Sequence, residues 1–216
     1  MDAWEALDCL HDYCIDPTKR ELYLTSESDL AVQTYDEMEP GVQYSQVSRL
    51  IKNLRFLTTR NHKPILIHMK TCGGDLVEGF AAYDAILACP CHITILSYTH
   101  ARSMSSIILQ AADRRVLMPN SYFMFHRGTA EYSGDAKTVY SNVEFFRKWE
   151  DRMIYTYAAA MKPRGRYSRW GWERIRKMLR DRMDEKADVF LTAKEAVAWG
   201  LADAVFDGKW AGLKRK

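Results

Sequence analysis

Three short stretches of this sequence bring together the residue types that acyl transfer needs. In KTCGGDL, residues 70–76, Gly73 and Gly74 stand between an apolar run and a helical pattern. Two glycines there let backbone N–H groups face a ligand at the start of a helix, which reads as an oxyanion hole for a tetrahedral intermediate. The plainer reading is a tight strand-to-helix turn. In THARSMSSIILQAA, residues 99–112, Ser103 ends a loop and opens an apolar helix, so its hydroxyl lies at the positive end of the helix dipole, where a nucleophile would sit. A serine in that position also serves as an ordinary N-cap, the GxSxG elbow is absent, and Ser105 and Ser106 compete on position. In NSYFMFHRG, residues 120–128, His126 closes an apolar strand ahead of Gly128 and is a candidate general base. His68 and His100 are rivals for that role. Asp181, Asp184, Asp188 and Asp203 compete as the carboxylate that would orient an imidazole.

The elements that must position these residues alternate. Helical spacing of Val47, Leu50, Ile51, Leu54 and Leu57 predicts a helix over 43–58, followed by a strand over 63–69. A helix over 76–88 and a strand over 92–97 repeat the order. A helix over 103–112 then precedes short strands at 115–117 and 122–125, separated by the turn Met118-Pro119-Asn120-Ser121. This alternation predicts an α/β fold with parallel strands and crossover helices. Ahead of it, Asp2 caps a short helix carrying Trp4, Leu7 and Leu10 that Pro17 ends; residues 20–26 read as a strand, and a turn falls around Glu39, Pro40 and Gly41. Beyond it, a long helix spans 136–161, Lys162-Pro163-Arg164-Gly165 breaks it, and a second helix covers 172–183. Thr192 then caps a short helix that stops at Gly200.

Composition bounds the function. A chain of 216 residues, 47% hydrophobic and 27% charged, is an ordinary globular domain. The formal charge of +3 is too small to argue for nucleic acid. The basic run from Lys162 to Arg182 reads as a solvated helix face with its apolar residues turned inward. Five cysteines form no even framework and no CxxC pair, so a reduced, cytoplasmic compartment and no metal site are expected. A secretion signal and a membrane span are not expected, because no basic start and no run of about 18 apolar residues occurs.

Read in order, the segments resemble the Clp protease proteolytic subunit, a branch of the crotonase-like fold. RELYLTSE resembles the family's first strand, KPILIHMKTCGGDLVEGFAAYDAI its glycine-pair segment and ARSMSS its nucleophile turn. LMPNSYFMFH resembles its PNS-to-histidine strand, and DVFLTAKEAVAWGLAD its aspartate segment. The resemblance implies a fold of repeated β-β-α units with a protruding handle helix at 136–161. It implies a serine endopeptidase with Ser103 as nucleophile, His126 as base and Asp188 as orienting residue. The oxyanion would be received by the amides of Gly74 and Met104, and substrate contacts would fall at Gly73, Leu76, Arg127 and Thr129. It further implies a homo-oligomer of stacked rings acting on polypeptides, with no cofactor of its own and ATP entering only through a partner unfoldase of the Clp type.

On this reading the chain divides into an N-terminal segment (1–19), a peptidase domain (20–208) and a basic tail (209–216). Three departures stand out. WEALDCLHDYCIDPT replaces the family's axial loop, which puts the ATPase partner in question. Arg127-Gly128 and a thinned GTAEYSG replace the family's Gln-Pro and its glycine-rich strand. PRGRYSRWGW reads as an insertion without a family counterpart. The alternatives are a non-catalytic ring subunit and an acyl-CoA hydratase or hydrolase of the crotonase type, which would not depend on Ser103.

Overall fold

The computed structural model describes residues 2–25 and 41–214. The turn expected at Glu39 and Pro40, and Ser26 at the end of the expected strand, lie outside the described residues. Helix α1 (Ala3–Tyr13) opens on a capping box between Asp2 and Glu5, and no residue of it is buried. It ends at Cys14 in the left-handed region rather than at Pro17. Pro17 falls instead in the turn between two short antiparallel strands, β1 (Ile15–Asp16) and β2 (Glu21–Thr25).

From β2 the chain alternates as the periodicity predicts. Helix α2 (Tyr44–Arg60), β3 (Ile65–Thr71), α3 (Leu76–Leu87), β4 (Ile93–Arg102), α4 (Met104–Leu109) and β5 (Arg114–Leu117) follow in order. Strands β2, β3, β4 and β5 pair in parallel, as crossover helices require. The side-chain period of two sorts the strands onto two faces. Leu22, Leu24, Ile65, Ile67, Met69, Ile93 and Ile95 face the helices in the main core. Leu66, Leu96 and Val116 face the other way.

Strand β4 is longer than the expected 92–97, and its two halves take different partners. Thr94 to Ser97 pair with β5, whereas His100 to Arg102 pair with β6 (Tyr122–Phe125). Next comes α5 (Ala136–Met161), buried only in its last nine residues, where Met153, Ile154, Tyr157, Ala158 and Met161 enter the core. Its first half carries no buried residue and leaves Tyr140 and Phe145 exposed, so the helix protrudes. Helix α6 (Trp172–Lys186) buries Ile175, Leu179 and Met183 and keeps its basic residues on the solvated face, where Arg176, Lys177 and Arg182 pair along the helix. Strand β7 (Val189–Thr192), read in the sequence only as a lead-in to a helix, runs antiparallel to β6. Helix α7 (Ala193–Trp199) starts on the Thr192 capping box and stops at Gly200, and β8 (Ala204–Val205) closes the sheet on β5.

Of the expected basic tail, residues 209–214 are described, and they pack on the body of the fold. A 3-10 turn at Trp210–Gly212 brings Leu213 down onto Leu66, Leu96 and Val116, covering the sheet face that the helices leave open. Lys214 then bonds Glu21 at 2.6 Å.

Around β8, one ion pair is almost out of water. Asp203 accepts from the Arg115 backbone N–H and from its guanidinium at 2.6–3.1 Å, and it also pairs with Arg164. Burial pushes the Asp203 carboxyl up, but Arg115 and Arg164 more than offset this and hold it below its ordinary value of 3.8. Since the folded pKa is depressed, the pair stabilises the protein above the unfolded value, and that contribution is lost as pH falls through the folded one. Asp203→Ala leaves the Arg115 cation buried without its partner. Urea unfolding at neutral pH is expected to show a loss of about 3–5 kcal/mol, with the gap to wild type closing below pH 3.8.

Candidate active site

Ser103 occupies the N-cap position of α4, yet its side chain makes no capping bond. Its backbone is at φ 51°, ψ −128°, a left-handed conformation that an L-residue adopts only under constraint. The turn aims Oγ out of the helix and toward His126, whose Nε2 lies 2.9 Å away. The N-cap reading of this serine therefore fails. Its rivals point elsewhere: Ser105 Oγ donates to the Thr71 carbonyl at 2.7 Å, and Ser106 Oγ donates to the Ser103 carbonyl at 2.6 Å and meets Tyr157 Oη at 2.6 Å. Both are fully buried.

His126 follows the last residue of β6, and strand pairing sets its neighbours. The parallel register puts Arg102 beside Met124, and the Ser103 amide donates to the Met124 carbonyl. On the other edge, Phe125 faces Val189 in the antiparallel register, so the next pair outward is His126 with Asp188. Their side chains meet, Nδ1 to Oδ1, at 3.1 Å. The imidazole is thus bracketed by a hydroxyl on one nitrogen and a carboxylate on the other.

The competing residues have other work. His68 stacks on Tyr23 and lies 2.8 Å from the Tyr98 hydroxyl, and burial pushes its pKa down. His100 is buried and packs on Tyr122. Asp181 pairs with Lys177, Asp184 with Arg127, and Asp203 with Arg115.

The glycine pair sits against the serine. Gly73 has φ 103°, and a Cβ there would fall 2.7 Å from Ser103 Cβ and 3.1 Å from the Met104 amide nitrogen. Gly74, at φ 139°, has no room for a side chain because Val42 lies against it. Val42 forms a strand-like bridge here, donating to the Gly73 carbonyl and accepting from the Asp75 amide. Those bonds use the peptide groups flanking Gly74 and leave its own N–H out of the bridge. The glycine turn thus lies against Ser103 and the Met104 amide. Val42 carries no chemical signature and was not legible as part of the site.

A profile of the Clp protease family matches residues 37–209, most of the chain. The chain belongs to the Clp protease family. One relative is the ATP-dependent Clp protease proteolytic subunit of Deinococcus radiodurans, 26% identical over 169 residues that cover 77% of this chain and 76% of that protein. At that distance this is a divergent, Clp-like member, and its mixed α/β sheet with helices packed on one face is the fold of the family.

The remaining expected contact residues of this Clp family member are scattered. Leu76 starts α3 and is partly buried, while Thr129 is exposed in a stretch, residues 127–134, that forms no strand. Arg127, expected to touch substrate, has its guanidinium engaged by Glu150 and Asp184. Among the described residues no group of three or more metal-ligating side chains converges, and no helix is long and apolar enough to cross a membrane.

The strain at Ser103 has a measurable consequence. Ser103→Ala keeps the unfavourable backbone, whereas Ser103→Gly relieves it. Denaturant melts are expected to show the glycine variant more stable than the alanine variant by about 1 kcal/mol, although glycine ordinarily costs stability. The reverse order would mean that the turn is unstrained.

Proposed function

We propose that this Clp family protein is a serine endopeptidase in which Ser103 is the nucleophile, His126 the general base and Asp188 the residue that orients it. The observation that carries this reading is the unbroken line of contacts from Ser103 Oγ to His126 Nε2 at 2.9 Å and from His126 Nδ1 to Asp188 Oδ1 at 3.1 Å. His126 takes the proton as Oγ attacks a peptide carbonyl, and Asp188 fixes the tautomer and stabilises the imidazolium. The amides of Gly74 and Met104 receive the developing oxyanion. His126 then passes its proton to the leaving amine, and a water activated by the same imidazole releases the acyl group and restores the serine.

An extended peptide would lie along Gly73 and Leu76 and make a further contact at Thr129. We further propose that the chain works in the cytoplasm as a homo-oligomer of stacked rings. The protruding, incompletely buried half of α5 and its exposed Tyr140 and Phe145 support an assembly surface. An ATPase of the Clp type would supply unfolded polypeptide; the Deinococcus relative is the proteolytic subunit of an ATP-dependent Clp protease. No cofactor of its own is required by this chemistry.

The deciding experiment is intact-mass analysis after treatment with a fluorophosphonate probe. A single adduct is expected on the wild type and none on Ser103→Ala. Asp188→Asn is expected to retain folding but to label about 10⁴-fold more slowly, the scale of loss when a triad imidazole is held in the wrong tautomer. An unlabelled wild type, assembled into its oligomer, would favour a non-catalytic ring subunit.

A further inference from the structure

Arg127 follows His126 directly, and its guanidinium is shared by two helices. Nε and Nη2 donate to Asp184 Oδ1 at 3.1 and 2.6 Å, and Nη1 pairs with Glu150 Oε1. Asp184 belongs to the end of α6, four residues before Asp188. Glu150 belongs to α5, and its side chain is only 17% exposed. Gly128, next in the chain, lies over Phe146, one helical turn before Glu150. Residues 127 and 128 are thus laid across one turn of α5 while reaching α6 at the same time.

We propose that Arg127 is a positioning residue: it ties the end of β6 to the segment that delivers Asp188, and so sets the spacing between His126 and Asp188. The inference rests on the serine peptidase reading above. The β6–β7 ladder ends at Phe125 and Val189, so both members of the pair lie one step beyond the last paired residues. Asp188 is half exposed and follows Ala187, which sits in the left-handed region at φ 49°. Backbone pairing alone leaves that junction free to swing. A guanidinium fork suits the task because its planar donors fix direction as well as distance. An isolated surface ion pair would contribute little. Here one cation answers two carboxylates on two helices, and Arg180 with Asp151, at 2.8 Å, ties the same helices a second time. A residue contacting substrate would act on KM; one that spaces the triad acts on kcat and on the reactivity of Ser103.

The test uses the full-length protein and the variants Arg127→Gln, Arg127→Lys, Asp184→Asn and the double variant Arg127→Gln with Asp184→Asn. The quantities measured are the fluorophosphonate labelling rate of Ser103 and kcat and KM on a fluorogenic peptide, well below each variant's melting temperature. Arg127→Gln is expected to lower the labelling rate and kcat about tenfold or more, the effect of small misplacement in a catalytic array, with KM nearly unchanged. Asp184→Asn is expected to act in the same direction. The double variant should be no slower than Arg127→Gln alone, because the two residues act through one contact. Arg127→Lys should recover part of the rate. Asp184 is 63% exposed, so its variant keeps the test open if Arg127→Gln does not fold. Labelling at the wild-type rate in Arg127→Gln or in Asp184→Asn, or a rise in KM alone, overturns the proposal. If the wild type itself does not label, the peptidase reading fails first and this one with it.

Discussion

The structure turns on one backbone conformation. Ser103 reaches His126 because the chain passes from β4 to α4 through a left-handed turn, which costs an L-residue about 1–3 kcal/mol and persists only when its surroundings hold it. The surroundings are visible. Gly73 approaches so closely that any side chain would strike Ser103. Arg102 Nε donates to the Cys72 carbonyl at 3.1 Å and locks the glycine turn to the end of β4. Ser106 Oγ donates to the Ser103 carbonyl, which commits its only proton, so the Tyr157 hydroxyl must be the donor in the contact between them. Burial pushes the Tyr157 phenol up, and it stays protonated as that role demands. The buried half of α5 is therefore a support beneath the nucleophile turn.

Given that turn, β6 does the assembling. It is parallel to the outer half of β4 on one edge and antiparallel to β7 on the other. A strand with neighbours on both edges presents its terminal residue between theirs. His126 thus falls between the residue that leaves β4 and the residue that enters β7. The division of β4 is what makes this possible: had β4 stopped at Ser97, where its pairing with β5 ends, β6 would have no edge to join near Ser103.

Much of this was legible in the chain. The 3.6-residue period marked α5 to its observed ends, and the Thr192 to Glu195 spacing with Gly200 marked α7, because local caps and periodicity decide such elements. What failed were segments decided by tertiary pairing. Residues 98–102 carry Tyr, Thr, His, Ala and Arg with no apolar alternation, yet form strand because two neighbours offer edges. Residues 189–192 were masked by the capping signal that follows them. The chemistry of three histidines and four aspartates could not be ranked from residue type, since burial and partners separate them. His68 lies in a stack of aromatic rings, and Asp203 is held by Arg115. The order of segments, through its resemblance to the Clp family, selected Ser103, His126 and Asp188 as a set, and the fold brings those three together.

Residues 163–172, which carried no functional reading in the sequence, have a physical place. Gly165 packs backbone to backbone on Gly200, with no room for a side chain on either. The Arg166 amide donates to the Ala198 carbonyl at 2.8 Å, and Tyr167 wedges edge-on against Trp170 and Trp199. Lys162 Nζ satisfies the carbonyls of Ser168 and Trp170. Together these contacts clamp the end of α7, and the Thr192 capping box joins the start of α7 to β7. Beyond β7 lies Asp188. Two of the three segments singled out in the sequence, 127–128 and 163–172, thus bear on the carboxylate side of the site. There β7 pairs with β6 alone and the junction is strained, and packed aromatic and charged side chains supply the rigidity that flanking strands supply on the serine side.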